Sequence, residues 1–177
     1  MTGKHRSFRV LRNFAIVAFF ALLLLGATST SVRADEPIVE PIVGLWQATW
    51  TDATTHAVVL NLWDAWHSDH TESQNDSGPV VTGFVCQGEW ALLGQRTYGL
   101  THPAFNYVGA NGQLDTTSVT LILEKVTVSK DGKTFAGSGI MKVLSGIDPF
   151  DPTATVLFSE NINISAKRVT VDTSELP

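Results

Sequence analysis

Glu160 raises the first chemical question in this chain. It stands in FSENINIS, two residues from Phe158 and two from Ile162. On a strand, that spacing places it on the face of those apolar neighbours. A carboxylate buried without partners costs several kcal/mol. An inward Glu160 would therefore imply a ligand, a paired group or water, and a raised pKa suited to acid or base work. A register change at a bulge would instead leave it near solvent. His102 is the matching candidate. It follows Tyr98 and Leu100 at spacing two in TYGLTHP. A histidine, a glutamate and a tyrosine around an apolar pocket could orient a polar head or move a proton. The plainer alternative is a rim histidine ahead of Pro103.

Other reactive types are sparse. His67 and His70, in HSDHTE with Asp69 and Glu72, point to opposite faces of a strand. They could share a metal only where the segment turns, so they are expected as exposed hairpin residues. No spacing matches a zinc or EF-hand pattern, and neither a metal nor another cofactor is expected. Cys86, the single cysteine, has no partner within the chain for a disulfide. In GFVCQGEW it reads as a small buried hydrophobe, with a reactive thiol as the alternative. Gly137-Ser138-Gly139 is not a nucleophile elbow; its glycines suit a bent strand. Trp63, Trp66, Trp90, Phe84, Phe105 and Phe158 supply large apolar surface that either fills a core or lines a small-ligand site.

These residues must be positioned by strands. GLWQATWTD is the first, and HAVVLNLWDAW and HSDHTES the next two, with a bend expected near Asp64–Ala65. SQNDSGP reads as a loop. VTGFVCQGEWALL, TYGLTHPAFNYV, TTSVTLILEKVTVS, TFAGSGIMKVLS and TATVLFSENINISAKRVTV complete a set of eight. Asp131–Gly132 is a hairpin signal between the sixth and seventh. The sixth is apolar on both faces and changes phase near Glu124–Lys125, where a bulge is expected. The eighth alternates over eleven or more residues, which suits a strand running obliquely around a barrel. The fold class expected is all-β: an eight-stranded antiparallel up-and-down barrel, with a sandwich as the alternative.

Gly44-Leu45-Trp46 at the head of the first strand, with Arg168 late in the last, resembles the lipocalin (calycin) pattern. The resemblance implies that Trp46 plugs the closed end of the barrel and that Arg168 packs across its ring, a structural role for Gly44, Trp46 and Arg168. It also implies an interior able to hold a small apolar or amphipathic molecule, with Trp66, Tyr98, Leu100, His102, Phe158, Glu160 and Ile162 facing it. Departures are plain: the family's Thr-Asp-Tyr motif and usual disulfides are absent, and only nine residues follow Arg168. A short bacterial lipocalin-like domain is the closer description.

Residues 1–34 read as a cleaved signal peptide. Lys4, Arg6, Arg9 and Arg12 precede an uncharged apolar run from Phe14 to Ala27, and Val32 and Ala34 suit a processing site. The run is shorter than the roughly 20 residues a bilayer core needs, so no stable membrane insertion is expected after cleavage. Residues 35–43 form a proline-containing lead-in, 44–172 the barrel and 173–177 a tail. Five of the twelve basic residues and none of the seventeen acidic ones lie in the signal, which leaves a net charge near −10. That balance disfavours nucleic acid as a partner. The expectation is a secreted or periplasmic binding protein. The alternatives are a barrel enzyme of isomerase or cyclase type working through Glu160 and His102, and a filled barrel acting as an interaction or envelope-stability module.

Overall fold

The computed structural model describes residues 39–78, 85–109 and 111–175. The signal-like segment and Phe84 lie outside the described residues. Eight antiparallel strands follow one another around a closed barrel: β1 (Gly44–Asp52), β2 (Val58–Trp66), β3 (Thr71–Asp76), β4 (Val85–Gly94), β5 (Thr97–Val108), β6 (Gln113–Val128), β7 (Thr134–Ser145) and β8 (Val156–Arg168). Among the described residues there is no α-helix. Closure comes from β1 pairing with β8, from Trp46 opposite Arg168 to Asp52 opposite Ile162. That pairing removes both sheet edges and rules out the sandwich.

Alternation decides which residues face inward. On β1, Trp46, Ala48 and Trp50 are buried; on β8, Ile162, Ile164 and Ala166 are. Together with Trp66, Trp90, Tyr98, Leu100, Ile122, Val126, Val128 and Phe135 they form one core inside the barrel. The glycines of β7 permit its close coiling against β6. A Cβ at Gly137 would collide with the backbone of Lys125 and Val126, and one at Gly139 would lie 2.9 Å from the Leu123 carbonyl. The hairpin at Asp131–Gly132 is present, with Gly132 at φ 71°.

Three local expectations are corrected. First, Ser73–Asp76 is strand, not loop: its residues pair with β2 and β4, and cross-strand hydrogen bonding outweighs the turn preference of the side chains. Second, no bend interrupts Asp64–Ala65. The chain turns at residues 67–70, where His70 takes φ 72°. Third, β6 is regular through Glu124–Lys125, and Glu124 pairs with both Leu100 and Gly139. The irregularity in its pairing with β5 falls between Phe105 and Tyr107 instead. Leu121 and Leu123, on the outward face, are covered by a second small cluster that includes Val119, Leu144 and Ala154. This outer cover makes β6 apolar on both sides without a phase change.

Candidate functional site

The closed end is an aromatic plug. The Trp46 indole donates to the Ile42 carbonyl at 2.8 Å. The Arg168 guanidinium lies 4.1 Å from the centre of that ring and donates to the carbonyls of Gly132 (2.7 Å), Val43 (2.7 Å) and Pro41. Gly44 is required on two counts: its φ is 138°, and a Cβ there would strike Arg168. Phe135 meets Trp46 edge-on at 4.8 Å, and Trp66, Trp90 and Tyr98 pack together above. The Tyr98 hydroxyl donates to Glu40 at 2.9 Å, tying the lead-in segment under the barrel. Tyr98 and Trp66 thus belong with the plug, and Gly44, Trp46 and Arg168 hold the positions the sequence pattern anticipates.

Above the plug the interior changes character. Asp64 on β2, Glu72 on β3, His102 on β5 and Glu124 on β6 all point inward and are buried. His102 has no exposed surface, and its Nδ1 lies 2.9 Å from Glu72 Oε2. This is an ion-pair distance without hydrogen-bond alignment, since neither atom makes a hydrogen bond. Asp64 Oδ2 accepts from the Trp66 indole at 2.7 Å. Buried polar atoms left without a hydrogen bond are Asp64 Oδ1, both Glu72 oxygens, both His102 ring nitrogens and Glu124 Oε2. Gly88 on β4 makes the meeting possible. A Cβ there would lie 2.8 Å from Glu72 Oε2 and 2.7 Å from Leu100 Cδ1, so the strand between Glu72 and His102 carries no side chain in the gap.

Burial sets the protonation states. Desolvation holds the carboxyls of Asp64 and Glu124 well above the usual range; Glu72 adds to the shift of Asp64, and Asp64 to that of Glu124. Glu72 is raised to about 7, again chiefly by burial. His102 is lowered to about 4 by burial, against an opposing pull from Asp64 and Asp76. Burial therefore favours the protonated form of Asp64 and Glu124 and the neutral imidazole of His102, while Glu72 is half ionised near neutral pH. Glu72 raises Asp64 further, and Asp64 pulls Glu72 down. This gives the site both a proton donor and an acceptor within one desolvated space.

The inward rows become more exposed away from the plug. Along the inward row of β8, Ala166, Ile164 and Ile162 are buried, Glu160 is half-buried and Phe158 is 49% exposed. On β5, half-buried Ala104 follows His102 by two residues. Met141 pairs with Glu160 and is half-buried too. Glu160 and Phe158 thus sit at the mouth rather than in the interior, because β8 runs beyond the core toward solvent. Leu100 and Ile162 are core. Of the anticipated set, only His102 belongs to the polar cluster, and its partner is Glu72, not Glu160.

Asp64 and Glu124 are not legible as inward residues, and Glu72, expected with His67 and His70 as an exposed hairpin residue, is instead 1% exposed because its pairing with Trp66 turns it inward. The signal was nonetheless there: Leu62-Asp64-Trp66 and Ile122-Glu124-Val126 each keep strict alternation through the acid.

The remaining reactive types stand apart. His67, Asp69 and His70 are exposed in the β2–β3 hairpin, as expected. His70 stacks on Trp90 at 4.4 Å. Among the described residues, no group of acidic, histidine or cysteine side chains is arranged to hold a metal ion. Cys86 is buried, and burial pushes its thiol up to about 12, which makes it inert. It borders a cleft of about 450 Å3 lined also by Ala104, Phe105 and Phe150. Trp63 and Phe105 face outward and are exposed.

Comparison with protein families, curated proteins and solved structures found no match to this chain.

Proposed function

We propose that this chain is an exported small-molecule-binding protein, lipocalin-like in architecture, that holds an apolar or amphipathic ligand within its barrel. The observation that carries the reading is the set of unpartnered, buried polar atoms on Asp64, Glu72, His102 and Glu124. A barrel built only for stability would fill that layer with apolar side chains, as this one does below it. Each desolvated, incompletely bonded polar group costs about 1–3 kcal/mol. Such groups are worth their cost where a ligand completes the bonding. The aromatic plug closes one end, and Met141, Ala104 and Glu160 are half-buried toward the other.

Native mass spectrometry of the protein purified from its host, with a denatured control, tests this directly. The expected result is a small-molecule adduct lost on denaturation, or uptake of an apolar dye at one equivalent. A clean mass together with no dye uptake overturns the reading in favour of a filled barrel.

The pair of Glu72 and His102 favours a second reading, a barrel enzyme using them as acid and base. It differs from the first in requiring turnover. Conversion of the captured molecule by the wild type, abolished in Glu72→Gln while binding persists, would establish it.

A further inference from the structure

Resting on the binding reading above, we infer that the ligand carries a protonated amine on an apolar body, its N–H groups seated against Asp64, Glu72 and Glu124. Three carboxyl side chains from three different strands converge with a histidine, and all four are more than nine-tenths buried. Asp64 Oδ1, both Glu72 oxygens and Glu124 Oε2 lack a hydrogen bond. An ammonium group brings three donors and no acceptor, which suits a site with four unbonded carboxyl oxygens. An alcohol brings one donor. A carboxylate brings only more lone pairs to a site already full of them.

Charge argues the same way. The groups bearing on the cluster are Asp64 on β2, Glu72 and Asp76 on β3, Cys86 on β4, His102 on β5 and Glu124 on β6. Among the described residues, the one ion pair made by these carboxyls is that of Glu72 with His102. Arg168 is committed to backbone carbonyls at the plug. Buried carboxylates are ordinarily paired with a cation; among the described residues no lysine or arginine pairs with these three, and the ligand would. Binding an ammonium replaces a proton in the cluster, so the affinity must depend on pH. Glu72 ionises near 7. Below that point each pH unit costs the ammonium complex about tenfold in affinity. Above it the dependence levels off.

The test compares three probes with one alkyl chain, n-octylammonium, n-octanol and octanoate, by calorimetry and by displacement of an apolar dye from the full protein. At pH 8, octylammonium should bind at least about tenfold tighter than octanol, and octanoate weakest. The advantage of octylammonium should shrink by about tenfold per unit between pH 7 and 5. Glu72→Gln should remove most of the advantage and leave octanol within about threefold. Glu124→Gln, checked for folding by circular dichroism, gives the same comparison should Glu72→Gln not fold. Octanol or octanoate binding as tightly as octylammonium, or an advantage that is flat with pH, would overturn the inference while leaving the binding reading intact. Failure of the dye and of all three probes would overturn both.

Discussion

At the residue scale, burial holds Glu72 and His102 away from their ordinary titration, and the consequence for stability can be signed. Glu72 ionises near 7 in the folded chain against 4.5 for an ordinary glutamate. Between those values the folded state holds a proton that the unfolded state has lost, so stability falls as pH rises, by about 3 kcal/mol in all. His102 is shifted from 6.5 to about 4. Between those values the unfolded state holds the extra proton, so stability rises with pH by a similar amount. The two slopes oppose each other between 4.5 and 6.5. The raised carboxyls of Asp64 and Glu124 add to the loss at higher pH. Urea unfolding should therefore show the protein less stable at pH 8 than at pH 6, and Glu72→Gln should reduce that difference. Gly88→Ala is the sharpest steric test of the cluster. Its methyl would press on Leu100, Glu72 and the Thr101 carbonyl within 3 Å, with an expected loss of about 1–3 kcal/mol in urea midpoint analysis. Cys86 should resist iodoacetamide at pH 8 in the native protein and react once unfolded, read by mass spectrometry. Its burial and raised pKa both withhold the thiolate.

At the element scale, the strands differ in what fixes them. The β6–β7 pair depends on Gly137, where the backbone of β6 approaches too closely for any side chain. Gly137→Ala should cost more than Gly88→Ala, because backbone rather than a flexible side chain would have to move; thermal unfolding would rank the two. The β2–β3 hairpin relies instead on Trp90, whose indole donates to the carbonyls of His67 and Thr71, each at 3.1 Å, while His70 stacks on its face. The hairpin carries Glu72 at its edge, so these contacts position the cluster. Element positions were partly legible in the sequence. GLWQATWTD, TYGLTHPAFNYV and TFAGSGIMKVLS match β1, β5 and β7 to the residue, because clear turn residues bound them. β3 was not legible, because TESQND is polar throughout and is held by its two neighbours rather than by its own pattern.

At the scale of the whole molecule, closure links the plug, the polar layer and the mouth in order along one axis. The plug is the part that stability depends on. Arg168→Ala would strip three carbonyl contacts and the cation–π stack from Trp46. A loss of about 2–4 kcal/mol is expected. Calorimetry should show it as a fall in Tm of about 5–15 °C for a domain of this size. The polar layer should be nearly unaffected, so octylammonium binding measured well below the new Tm should stay within about threefold of wild type.

The sequence by itself determined the class, the strand order and the plug. Alternation, turn chemistry and the Gly44, Trp46 and Arg168 positions are local signals, and each survives whatever the rest of the chain does. Which carboxylates lie inside was decided only by the tertiary structure. Inward or outward is a single parity choice for each strand, and barrel closure sets all eight choices together. A local reading keeps acids out of apolar faces because burial is costly. The closed barrel accepts that cost at Asp64, Glu72 and Glu124, since removing every sheet edge and completing the aromatic plug admit no other register.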